Sequence, residues 1–89
     1  MPRPWEADAS AEMRRRVGRA PLSLGVDTAG PDCPDIWELD NGDFAVIGRE
    51  ATDAYRDRLP PGVSMSDDER LVVIPRSILT AAKPDIPDT

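Results

Sequence analysis

Few residues in this chain could carry out chemistry, and none of its 89 residues is a histidine. The usual general base, the Ser-His-Asp and Cys-His pairs and the His-bearing metal sites are therefore excluded. The single cysteine, Cys33, can form no intrachain disulfide and cannot build a zinc site alone. Its acidic neighbours Asp32 and Asp35 disfavour a thiolate. The sequence therefore predicts that the protein is not an enzyme and has no cofactor.

Carboxylates cluster at two predicted turns. Asp40 and Asp43 flank an Asn-Gly pair, and residues 67–69 read Asp-Asp-Glu. Such oxygens can hold Ca²⁺ or Mg²⁺ in principle, but no loop has the EF-hand spacing with its closing glutamate. No glycine-rich loop is followed by Gly-Lys-Ser/Thr, so a phosphate-binding loop is absent as well. We interpret these acids as solvated turn residues and predict no metal site.

One basic cluster and one tryptophan are candidates for binding a partner. Trp5 has no obvious site within the chain and could anchor an interface, whereas Trp37 lies in an apolar run and is assigned to the core. The arginines could contact phosphates or an acidic protein surface. The partner-binding candidates are Trp5, Arg14, Arg15, Arg16 and Arg19.

Charge is distributed unevenly along the chain, whose formal net charge is −6. Residues 1–31 hold five arginines against four acids, whereas residues 32–89 hold thirteen acids against six bases. This balance argues against binding to nucleic acid or anionic lipid, which needs a basic surface. No run of about 18 apolar residues could span a membrane, and no signal-peptide core is present. We therefore expect a cytoplasmic protein.

The strongest local signal is a β-hairpin. The runs Ile36–Leu39 and Phe44–Ile47 flank Asn41-Gly42, the dipeptide that favours a two-residue type I′ turn. That turn would place Asp40 opposite Asp43. The predicted core face then consists of Trp37, Leu39, Phe44 and Val46.

The remaining pattern predicts a small α+β domain at residues 33–82. Residues 1–32 read as a flexible or marginally helical arm and linker, with the helix at 5–17, and 83–89 as an acidic tail. A short helix is predicted after Gly48, then the strand Leu71–Ile74, and another helix after Pro75. The fold is thus a hairpin, helix, strand and helix around a three-stranded sheet. We place the third strand beside the second, or alternatively beside the first.

The small predicted core implies a partner. About fifty residues without a disulfide or metal bury too little apolar surface to offset chain entropy alone. An unpaired strand edge also attracts another chain. In the order with the third strand beside the second, the first strand would be the free edge. We therefore expect self-association or a permanent protein partner.

Two resemblances accompany this interpretation. Residues 33–48 with 68–76, which contain Cys-Pro-Asp-Ile-Trp-Glu-Leu-Asp-Asn-Gly-Asp and Leu-Val-Val-Ile-Pro-Arg, resemble small uncharacterised actinobacterial proteins often encoded near helix-turn-helix regulators. That resemblance implies a regulatory accessory. Residues 71–79 are similar to the strand-Ile-Pro-helix motif of swapped-hairpin transition-state regulators and antitoxins, in which a further strand pair follows.

The function expected from the sequence is that of a non-enzymatic, acidic interaction or regulatory accessory protein that acts through protein–protein contacts. The alternative is a DNA-binding protein of the antitoxin or transition-state-regulator kind. No small-molecule substrate is evident from the residues.

Overall fold

A computed structural model describes residues 4–25 and 34–88 of the chain. Cys33 lies outside the described residues. The strands are β1 (Met13–Arg16), β2 (Asp35–Leu39), β3 (Phe44–Ile47), β4 (Arg49–Glu50) and β5 (Val72–Val73). The helices are α1 (Thr52–Tyr55) and α2 (Arg76–Ala82), with short 3₁₀ segments at Pro21–Leu24, Arg56–Arg58 and Lys83–Asp85.

The predicted α+β class is confirmed. An antiparallel three-stranded sheet has the order β1-β2-β3, and β4 pairs with β5 in a separate two-stranded sheet. Both predicted helices are present, and α1 continues into a 3₁₀ turn before the prolines at 60 and 61. The membership of the main sheet differs from the prediction. Its third strand comes from the N-terminal residues, and β5 pairs with β4 instead.

The helix predicted for residues 5–17 is wrong. Met13–Arg16 forms β1, which pairs with β2 so that Arg15 is opposite Glu38 and Arg16 is opposite Trp37. A helix would have buried only a thin apolar stripe, whereas the strand leads Val17 into the core and matches charges across strands. The folded unit therefore begins before residue 33, and the predicted arm is partly sheet.

The hairpin is present, but its predicted register is wrong by one residue. The Leu39 N–H donates to Asp43 O at 2.8 Å, and the Gly42 N–H donates to Leu39 O at 3.1 Å. Gly42 has a φ of +93°. These bonds define a three-residue loop with a left-handed residue at its end, which is the next most common hairpin after the two-residue turn. Glu38 consequently pairs with Phe44.

A one-residue shift moves every side chain of a strand to the other face. Ile36 now shares a face with Val46, and α2 packs against β2. Phe44 and Val46, predicted core residues, are 40% and 44% exposed. The buried apolar core consists of Val17, Ile36, Ile78 and Ala82, with Leu24 and Ile74 packed against it.

The end of β1 approaches the end of α2 very closely. Gly18 has a φ of +88°, and a Cβ built there would lie 2.8 Å from Ala82 N and 2.9 Å from the Ala81 carbonyl carbon. Its N–H donates to Asp85 Oδ2 at 2.8 Å. Residues 83–85 thus form a 3₁₀ turn that contacts the sheet, so the predicted tail is partly structured.

Replacement of Gly18 tests this close approach. Gly18→Ala should lower the free energy of unfolding by about 2 kcal/mol or more, because positive-φ strain is combined with a backbone clash. Urea denaturation of the full chain measures the change. Gly62→Ala is the matched control: its φ is +85°, but a Cβ there meets nothing within 4 Å. Equal losses at the two glycines would contradict the close contact.

Candidate functional site

Two of the candidate arginines are bound within the chain. Arg16 Nε lies 2.8 Å from Asp35 Oδ2, and its guanidinium carbon lies 5.0 Å from the centroid of the Trp37 ring. The Trp37 Nε1–H donates to the same oxygen at 2.9 Å, and the Ile36 N–H donates to Asp35 Oδ1 at 3.1 Å. Asp35 is only 2% exposed. Its contacts with Arg16 of β1 and Trp37 of β2 join the two strands.

Arg15 makes the equivalent connection on the other face of the sheet. Its Nε lies 2.7 Å from Glu38 Oε1, and its Nη2 donates to the Asp85 carbonyl oxygen at 2.8 Å. One side chain thus connects β1, β2 and the 3₁₀ turn that follows α2. The two arginines lie on opposite faces because they are adjacent in a strand.

Of the other two arginines, Arg14 lies within β1 and Arg19 lies three residues after its end. Arg14 is exposed and falls at a register irregularity between Met13 and Arg15. Arg19 is exposed, and its Nη2 donates to Ser23 O at 3.4 Å. The cluster in the sequence is therefore divided in space. It does not present four guanidinium groups on one surface.

Trp5 is an exposed aromatic residue beside the hairpin loop. Its side chain is 62% exposed, and its Nε1–H donates to Asp43 Oδ2 at 3.2 Å. It borders a groove of about 520 Å³ between the N-terminal segment and the loop that follows α1. The groove residues are Trp5, Glu6, Ala7, Leu59, Val63, Ser64, Met65, Asp68, Glu69, Arg70 and Leu71.

Acids of the predicted turns accept hydrogen bonds from backbone N–H groups. Asp40 Oδ1 accepts from Glu12 N–H at 3.1 Å, and Glu69 Oε1 accepts from Ser66 N–H at 2.7 Å. The Ser10 hydroxyl, with its N–H as a second donor, lowers the pKa of Asp8. Across residues 4–25 and 34–88, no group of three or more Asp, Glu, Cys or His side chains is arranged to hold a metal ion.

Glu50 is tied to the start of α1. Its Oε2 accepts from the Thr52 N–H at 2.9 Å, and the Thr52 hydroxyl oxygen accepts from the Leu71 N–H at 2.9 Å. Hydrogen bonds from Thr52, the side chain first and the backbone second, lower the pKa of Glu50. Thr52 is buried. Its two hydrogen bonds connect β4, α1 and the residue before β5.

Apolar side chains are prominent on the surface of the sheet strands. Phe44, Val46 and Ile47 of β3 are 40–44% exposed, and Val72 and Val73 of β5 are 38% and 44% exposed. β3 is an edge strand, whereas β2, predicted to be the free edge, is central. The hairpin sequence alone could not have predicted that β2 is central, because the position of β2 depends on its pairing with β1.

Comparison with known proteins identifies no relative. No family model matches the chain, and neither a curated protein nor a solved structure is significantly similar to it. Within residues 4–25 and 34–88, every helix is too short to span a lipid bilayer.

The Asp35 cluster can be tested by removal of its acceptor. Asp35→Ala should lower the free energy of unfolding by about 3 kcal/mol, because Arg16 and the Trp37 indole lose a buried partner. Asp53→Ala is the control, because the Asp53 side chain is 98% exposed and its ion pair with Arg56 is long, at 3.5 Å. We expect the control to change stability by about 0.5 kcal/mol or less. Equal losses of unfolding free energy in the two variants, measured by chemical denaturation, would show that the Asp35 cluster does not stabilise the fold more than an exposed ion pair does.

The Glu50 interaction predicts a pH dependence. A carboxyl group with a lowered folded-state pKa stabilises the fold above its unfolded value, here about 4.5, and that contribution is lost as pH falls through the folded-state pKa. Wild type should therefore exceed Glu50→Gln in urea midpoint at pH 7. The difference should shrink as pH falls below 4.5. A difference that is constant with pH would contradict this assignment.

Proposed function

We propose that this chain is a non-enzymatic interaction protein, a small acidic regulatory accessory that acts through protein–protein contacts. One observation carries the proposal. Among the described residues, eleven large apolar side chains are exposed, whereas four apolar residues form the buried core. Phe44 and Val46 are neighbours on one face of β3, and contiguous exposed apolar surface is typical of protein interaction sites.

Trp5 supports the same function. It is the most exposed of the large apolar side chains described, and its hydrogen bond to Asp43 holds it beside the hairpin loop. A fixed aromatic ring loses little conformational entropy on binding, which is why tryptophan is enriched at energetically dominant interface positions. We propose Trp5 as an anchor for the partner, with exposed Arg14 and Arg19 as peripheral contacts. The single cysteine suits the reducing cytoplasm, where we propose that the protein acts.

DNA binding stays an untested prediction with no observation that favours it. Arg15 and Arg16 are engaged by Glu38 and Asp35, so their charge is compensated within the chain. The net charge of −6 opposes association with phosphates.

Affinity capture tests the proposed function. The full-length chain, immobilised through its C-terminus, should enrich a specific protein from cytoplasmic extract, and Trp5→Ala should weaken that binding about tenfold or more in purified form. Leu79→Ala is the control because Leu79 is also strongly exposed, at 55%, but lies on α2. Calorimetry with the purified partner measures both variants. Wild-type protein that enriches nothing above blank resin would contradict the proposal.

A further inference from the structure

We propose that the outer edge of β3 pairs antiparallel with the same edge of a second copy of this chain, with Val46 at the two-fold axis. This inference rests on the proposed function and names one partner for it. The resulting dimer would have a continuous six-stranded sheet with both copies of α2 on one face.

The hydrogen-bond pattern defines the edge. Because the Leu39 N–H bonds Asp43 O, the backbone groups of Ala45 and Ile47 point toward β2 and those of Phe44 and Val46 point away. Farther along, the Ala51 N–H donates to Leu71 O, so odd-numbered residues again face the paired strand. The even-numbered backbone groups from 44 to 48 therefore form an outer edge that no described strand covers.

The two edges of the sheet differ in their protection against association. β1 carries three consecutive arginines and a register irregularity, both of which discourage strand addition. β3 reads Phe-Ala-Val-Ile, with no charge, no proline and no bulge in its pairing with β2. A regular and apolar edge of this kind is a template for another strand. The structure thus leaves one edge suited to pairing.

Charge complementarity selects both the partner and the register. Outward backbone groups must meet outward groups, so even-numbered residues pair with even-numbered residues across the interface. With Val46 opposite Val46, Asp43 of each copy is opposite Arg49 of the other. Arg49 is exposed, and its side chain forms no ion pair with an acid among the described residues. With Ala45 or Ile47 at the axis instead, Asp43 would be opposite Ile47 or Ala51, and the ion pair with Arg49 would be lost.

The same register pairs apolar residues at the centre. The two Val46 side chains are adjacent, and Phe44 of each copy is opposite Gly48 of the other, beside β5. Both Phe44 and Val46 lie on the sheet face that α2 packs against. Two ion pairs at the ends therefore flank an apolar centre, which is the usual arrangement of a protein interface.

Sedimentation equilibrium of the full chain tests the dimer. Wild type should dimerise with a dissociation constant below about 100 µM, because edge pairing with an apolar centre is a modest interface. Val46→Pro should be monomeric, because proline removes an outward N–H while the inner ladder uses the N–H groups of Ala45 and Ile47. Val46→Lys should weaken the dimer as well. Val73→Lys is the matched control, since both valines are 44% exposed.

A charge reversal tests the register. Arg49→Asp alone should raise the dimer dissociation constant about tenfold, because Asp43 of the other copy then faces a like charge. The double variant Asp43→Arg, Arg49→Asp should restore most of the affinity. Failure of the double variant to restore dimerisation would overturn the register.

Two further outcomes would overturn the proposal. Wild type that remains monomeric at about 100 µM shows that the edge does not self-associate. If Val46→Lys dimerises as tightly as Val73→Lys, a different surface forms the dimer. If Val46→Pro fails to fold, the lysine pair and the charge reversal decide. A monomer that still binds a protein through Trp5 would leave the proposed function intact while removing this inference.

Discussion

Pairing between β1 and β2 is the constraint on which the rest of the structure depends. Arg16 and Asp35 connect the strands on one face, and Arg15 and Glu38 connect them on the other. The pairing converts β2 into the central strand and places Val17 beside Ile36 in the core. Arg15 and Gly18 then bind Asp85, which fixes the end of α2 against the sheet. Without this pairing, α2 would lose the packing of Val17 and Gly18, which follow β1.

The sequence predicted the class of the fold and the position of the hairpin, but the register needed information from farther away. An Asn-Gly pair is compatible with two-residue and three-residue loops, and the two registers differ in which face is buried. Phe44-Ala45-Val46-Ile47 is apolar on both faces, so its own pattern could not decide between them. The position of α2 over Ile36 decides, and that contact spans more than thirty residues of sequence.

The candidate site was predictable to a similar extent. The exposure of Trp5 followed from the lack of any intrachain apolar neighbour in the sequence pattern. The role of the arginines did not, because a run of arginines reads as a basic patch until the register of its strand is known. Once Arg15 is opposite Glu38 and Arg16 is beside Asp35, two of the four side chains serve the fold. Local charge pattern cannot show this, since both acids lie about twenty residues away.

These arrangements explain why so much apolar surface lies outside the core. Partly buried ion pairs align β1 with β2, but they add no apolar contact, and α2 covers only part of one sheet face. The apolar side chains of β3 and β5 consequently remain exposed, although the buried apolar core of the described residues contains only four side chains. In a chain this short, surface of that kind stabilises the protein only when another polypeptide covers it. The ion pairs that fix the sheet internally therefore leave its apolar residues exposed, and these residues form the surface that we propose contacts a partner.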